Sequence, residues 1–201
     1  MEELLNKFQE IILIMVPEAW DRIDFYASIG NGKNVQGELF FYFLPSSFFK
    51  SEYINCYEVP SQYNIDEGDY LNLINKLYEI IKKMKKLSRS LNILDWNNIS
   101  ININGKNGTL KIEYSYIDFE NFPFSSYERH VIWRYINLNI IPTSKEERKI
   151  IEKYYEYIKM YNIPKMVQYL NFNLSKKQGI VDYGEVLSID EAINLNKEEG
   201  K

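Results

Sequence analysis

Residues 99–116 leave this chain the least freedom. Ile99, Ile101 and Ile103 alternate with Ser100 and Asn102; after Asn104-Gly105-Lys106-Asn107-Gly108 the alternation resumes at Leu110, Ile112, Tyr114 and Tyr116. A period of two sends successive side chains to opposite faces of a strand. Asn and Gly in the middle supply residues that tolerate the positive φ of a tight reversal. The segment is therefore expected to be an antiparallel hairpin.

Around it the period changes. Glu2 to Val16 places Leu4, Phe8, Ile11 and Met15 beside Leu5, Ile12 and Val16, an amphipathic helix stopped by Pro17. After Trp20, Ile23, Phe25, Ala27 and Ile29 return to period two. Gly30 to Asn34 reads as a turn, Val35 to Leu44 as a central strand, and Glu52 to Val59 as a third strand. Asp66 to Leu91 reads as the longest helix, with Tyr70, Ile74, Leu77, Ile81 and Met84 on one face. Asp66, Glu67 and Asp69 at its start and Lys82, Lys83, Lys85, Lys86 and Arg89 at its end match the helix macrodipole. The basic run is thus a solvated helix end rather than a phosphate site.

Two capping boxes follow the hairpin. Ser125 with Glu128 opens a helix to about Asn137, and Ser144 with Glu147 opens another to about Tyr161. Met166 to Phe172 is compatible with a strand or a short helix, and residues 196–201 with a frayed end. The order is α-β-β-β-α-β-β-α-α, an α+β fold with a mainly antiparallel sheet of about five strands packed by N-terminal, central and C-terminal helices. Residues 1–163 are expected to form one domain, and 164–201 a C-terminal extension.

Residue types narrow the chemistry. The chain has one histidine, His130, and one cysteine, Cys56, so it offers no zinc-ligand spacing and no intrachain disulfide. Its glycines form neither a P-loop nor a G-x-G-x-x-G before a helix. The net charge of −4 argues against non-specific binding to nucleic acid, which requires Lys and Arg to displace phosphate counterions. The apolar run Ile11 to Val16 is far too short to span a bilayer, and no basic leader precedes it. The expectation is a cytoplasmic protein that is not an enzyme and carries no cofactor and no metal.

Several landmarks in fixed order resemble one family. Asp95-Trp96-Asn97-Asn98-Ile99-Ser100-Ile101 and Gly108 to Tyr114 are similar to a segment of the YezG-like antitoxins. Phe124 to Tyr135 resembles that family's most distinctive motif, close to S-x-Y-E-R-x-x-x-W-x-Y, with matches at Ser125, Tyr127, Glu128, Arg129, Trp133 and Tyr135. Val16-Pro17-Glu18-Ala19-Trp20, Tyr42-Phe43, Val59-Pro60 and Tyr63 follow the same pattern, and together the resemblance covers about residues 1–160. It implies an immunity protein that binds and neutralises a polymorphic toxin exported by type VII secretion. Toxins with nuclease C-terminal domains are among the partners it implies; nucleic acid and membrane are not. The family's acidic run after the second hairpin strand is usually richer in Asp. Here it is Glu113, Asp118 and Glu120 separated by aromatics, and the segment after Tyr161 lies outside the pattern.

Two sets of residues are singled out. Glu113, Tyr114, Tyr116, Asp118 and Glu120 read first as a solvated strand face and second as a toxin-binding edge of aromatic anchors among carboxylates. Trp20, Trp96, Ser125, Tyr127, Glu128, Arg129, Trp133 and Tyr135 read as fold-defining: Ser125 and Glu128 as a cap, Trp133 and Tyr135 packing the last helices onto the sheet, Trp20 sealing the first helix, and Arg129 pairing with a carboxylate such as Glu113 or Asp118. The rival reading is a small ligand-binding or enzymatic domain. It requires Glu113, Asp118, Arg129 and His130 to converge on one deep pocket.

Overall fold

The computed structural model describes residues 1–30, 37–46, 52–91 and 95–160, and the backbone of 165–171. Among the described residues, six strands form one antiparallel sheet in the order β3-β2-β1-β4-β5-β6. They are β1 (Trp20–Ser28), β2 (Glu38–Pro45), β3 (Ile54–Asn55), β4 (Asn98–Asn104), β5 (Thr109–Ser115) and β6 (Lys165–Asn171). The helices are α1 (Glu2–Met15), α2 (Val59–Tyr63), α3 (Glu67–Ser90), α4 (Ser126–Leu138) and α5 (Lys145–Met160). The α+β class and the order of the expected elements hold. Most of the turn at Gly30–Asn34, Val35 and residues 196–201 lie outside the described residues.

Register explains why the sheet has two unlike faces. Row by row from β2 to β5, one face reads Leu39–Ala27–Ile99–Tyr114, Phe41–Phe25–Ile101–Ile112 and Phe43–Ile23–Ile103–Leu110. All of these are buried. Against them lie α1, where the Phe8 ring meets the Phe25 ring edge-on at 4.9 Å, and α3, which presents Tyr70, Ile74, Leu77, Ile81 and Met84. Burying each large apolar side chain contributes roughly 1.5–3 kcal/mol. The Tyr70 hydroxyl donates to the Met15 carbonyl at 3.2 Å and ties the two helices together.

The opposite face reads Glu38–Ser28–Asn98–Ser115, Phe40–Tyr26–Ser100–Glu113 and Tyr42–Asp24–Asn102–Lys111. It is aromatic over β2 and polar over β4 and β5. Helix α4 covers it through Trp133, whose ring stacks near Tyr42 and meets Phe40 edge-on at 5.0 Å. With α5, α4 builds a second, smaller core of Phe124, Val131, Ile132, Ile150 and Ile151.

The third strand is a correction. Glu52 to Val59 is not one extended run: β3 has two residues, followed by a 3-10 turn at Cys56–Glu58 and then α2. The turn serves the sheet differently. The Phe41 amide points at the Cys56 sulfur at 3.4 Å, and the Tyr57 hydroxyl donates to the Leu39 carbonyl at 2.8 Å. Side chains thereby occupy backbone groups of β2 that a longer β3 would have taken, and so blunt an otherwise open edge.

The hairpin is as expected. Asn104 Oδ1 accepts from the Lys106 amide at 2.9 Å, and Gly108 closes the turn at φ 70°. A Cβ at Gly105 would lie 2.7 Å from the Trp20 carbonyl oxygen, so Trp20 packs on the hairpin turn as well as against the main core. Both capping residues also act as read: Ser125 Oγ accepts from the Glu128 amide, Glu128 returns a bond to the Ser125 amide at 2.7 Å, and Ser144 Oγ accepts from Glu147 at 3.1 Å. Ser125→Ala is expected to destabilise the fold by about 1 kcal/mol and Phe25→Ala by about 3–5 kcal/mol. Urea unfolding of the two variants tests that order.

Candidate binding groove beside the C-terminal helices

The motif residues divide by what they touch. Trp133 donates its indole N–H to Ser100 Oγ at 3.1 Å, a bond from α4 to β4. Arg129 pairs with a carboxylate as expected, but with Glu38 rather than with Glu113 or Asp118. Its guanidinium bonds Glu38 at the start of β2, donates to the Phe124 carbonyl at 3.1 Å and lies 4.9 Å above the Phe119 ring. Glu38 sits far away in sequence, which is why spacing pointed to nearer carboxylates. Tyr135 packs against Tyr155 within the α4–α5 pair, so it joins the helices to each other rather than to the sheet. Tyr127 is 59% exposed. Trp96 is buried against Tyr114, with ring centroids 5.2 Å apart.

That contact removes Tyr114 from the candidate binding edge. Its side chain is on the apolar face of β5 and only 3% exposed. The alternation that marked the strand places Glu113 on the other face. Tyr116 and Asp118 line a hollow with Asn121, Phe122 and Tyr157. There Asp118 accepts from the Glu120 amide at 3.2 Å and the Asn121 side chain at 2.7 Å. Glu120 is exposed on the same loop.

Next to this hollow, and sharing Ile117 and Phe122 with it, is a cavity of about 450 Å³ between the sheet and the α4–α5 pair. Its floor is the polar side of β1, β4 and β5, including Asp24, Ser100, Asn102, Lys111 and Glu113. Ile132, Trp133, Ile136 and Tyr154 face the floor. Arg22 and Asp24 form an ion pair at 2.8 Å, Arg22 donates to the Asn137 carbonyl at 2.8 Å, and Asn102 donates to Asp24 at 2.6 Å. Burial raises the Asp24 carboxyl pKa, against the opposing pull of Arg22. None of these floor residues except Glu113 stood out in the sequence. The available signal was the identity of the alternating residues, Asn98, Ser100 and Asn102, which are uncharged where a purely solvated strand face commonly carries Lys and Glu.

The rival constellation does not assemble. Glu113 and Arg129 both line the cavity, Asp118 lies in the neighbouring hollow, and His130 is turned toward β2. There its Nε2 is 2.9 Å from the Tyr42 hydroxyl, and its ring lies 4.2 Å from that of Phe40. Burial, then the nearby Arg134 charge, lowers the His130 pKa to about 4, with Glu147 opposing. The Cys56 thiol is pushed up to about 12 by burial and so is a poor nucleophile. Among the described residues no group of three or more His, Cys, Asp or Glu could hold a metal ion, and no helix is long and apolar enough to cross a membrane.

The fold and groove define a small α+β domain with an accessible, mixed polar and aromatic surface cleft. The chain belongs to the immunity protein YezG-like family, whose sequence profile matches residues 1–152. It is 26% identical over 155 residues to the immunity protein YezG of Bacillus spizizenii, covering 77% of this chain and 92% of that one. To the immunity protein YezG of Bacillus subtilis it is 25% identical over 154 residues, 77% of this chain and 98% of the relative. To the type VII secretion system protein EsaG of Staphylococcus aureus it is 26% identical over 160 residues, 79% and 94% of the two chains.

His130 gives a pH test. Its folded pKa lies below the unfolded value, so the unfolded chain binds more protons between the two, and stability falls as pH drops from about 6.5 toward 4. Thermal unfolding of the wild type and His130→Gln across that window should show a shallower acid loss in the variant. Identical slopes would remove His130 as the cause.

Proposed function

We propose that this chain is an antitoxin that neutralises a secreted toxin of nuclease type by stoichiometric binding in the cytoplasm. The observation that carries the reading is the family match over residues 1–152, supported by relatives named as immunity proteins and as a type VII secretion component. The immunity domain proper is residues 1–163. The extension beyond it contributes β6 to the edge of β5.

Physical chemistry supports the nuclease class. A nuclease must present Lys and Arg to a phosphate backbone. This chain carries net charge −4; Glu113 lines the groove, Asp118 lines the hollow next to it, and Glu120 is exposed on the same loop as Asp118. Opposite charge speeds encounter, and buried aromatic anchors slow escape. Tyr116, 45% exposed beside Asp118, is such an anchor. Covering the toxin's basic substrate surface then requires no chemistry from this chain. An enzymatic reading has less support, because His130 and Asp118 are not in the cavity that Glu113 and Arg129 line.

Co-expression with the C-terminal domain of its cognate secreted toxin is expected to rescue growth, and the purified pair should co-elute. Asp118→Lys with Glu120→Lys should slow association about tenfold or more at low salt and less at high salt. Absence of both binding and rescue by the wild type overturns the reading.

A further inference from the structure

A sheet covered by helices on both sides ordinarily fills both interfaces with apolar side chains. Here the floor under α4 and α5 is polar, and a cavity of about 450 Å³ remains above it. That volume is within the usual range of about 300–1,000 Å³ for ligand pockets. We propose that this cavity receives an aromatic side chain with a neutral hydrogen-bonding tip, a tyrosine presented by a loop of the toxin. The proposal rests on the toxin-binding reading above and names the anchor of that complex.

The charges of the cavity are already engaged. Arg22 holds Asp24, and Asp24 also accepts from Asn102. Arg129 holds Glu38, and Lys111 and Glu113 have partners of their own. A guanidinium or carboxylate entering would lose its hydration and find no uncommitted counter-charge among the described residues. Arg22 Nε, Asp24 Oδ2 and Arg129 Nε keep a valence without a hydrogen-bond partner but are closed off from solvent, and neutral valences remain beside them. Ser100 Oγ accepts from Trp133 and keeps its own hydrogen to donate, while Asn102 spends one amide hydrogen on Asp24 and keeps its carbonyl oxygen. Ser115 adds a further hydroxyl to the lining. Across from them, Phe122, Ile132, Trp133 and Ile136 offer apolar surface. A flat ring with one hydroxyl meets both walls, and tyrosine is among the residues that most often anchor protein interfaces.

Trp133 reports on the site, since its indole N–H bonds a floor residue. With the full chain, p-cresol should shift the Trp133 indole N–H resonance saturably, whereas ethylguanidinium and acetate should not. Ser115→Leu, which fills the floor without touching a side-chain bond of the fold, should weaken the cresol response about tenfold or more with an unchanged circular dichroism spectrum. Should Ser115→Leu perturb the fold, Phe122→Ala, which removes part of the apolar wall, replaces it with the same expectation. No saturable cresol shift, an equal shift with either ion, or undiminished binding by a folded variant overturns the proposal. Affinity for the toxin domain separates the two readings. If the wild type binds and Ser115→Leu binds equally well, only the anchor is wrong; if the wild type binds no toxin, the immunity reading fails and the assigned occupant with it.

Discussion

The alternation of β1 is the constraint on which the rest depends. Ile23, Phe25 and Ala27 face one way, and Asp24, Tyr26 and Ser28 the other. Because β1 lies between β2 and β4, its register sets that of both neighbours. A slip by one residue would turn Phe25 out of the α1–α3 core and drive Asp24 into it. An unpaired carboxylate there would cost several kcal/mol, so the sequence tolerates one register.

Helices α4 and α5 follow from that choice. The face they cover is aromatic only over β1 and β2, so α4 anchors there through Trp133 and His130. Over β4 and β5 no comparable apolar surface exists to draw the helices down, and the pair satisfies its own apolar residues internally instead. What holds it to the sheet on that side is directional: the Trp133 bond to Ser100 of β4, backed by the bond from Arg22 of β1 to the Asn137 carbonyl. The cavity is the space left where attraction between layers gives out.

Local signals were legible and distant ones were not. Helices α1 and α3, the β4–β5 hairpin and the two capping boxes are written in neighbouring residues, where period and turn chemistry suffice. β3 misled because Ile54 and Cys56 keep a strand's alternation, while Val59, three residues further on, breaks it and opens α2. The partner of Arg129 was invisible because Glu38 lies across the sheet. Tyr114 was assigned to the surface edge on residue type, although its own alternation with Glu113 placed the two on opposite faces. The cavity depends on how far α4 stands from β4, which no local pattern encodes.

This division bears on what the recognisable motif means. Ser125 and Glu128 cap α4, Arg129 ties α4 to β2, Trp133 fixes it on β4, and Tyr135 joins it to α5. Each has a structural bond to keep, so a change at any of them disturbs the placement of α4 before it alters a partner contact. A change of binding surface is therefore best tolerated at residues without such duties. In this chain those include Ser115 in the groove, Tyr116 in the adjoining hollow and Glu120 exposed on its loop, where the fold asks little of the side chain. The motif holds the groove's roof in place, and only the part of the lining without such bonds is left free to change.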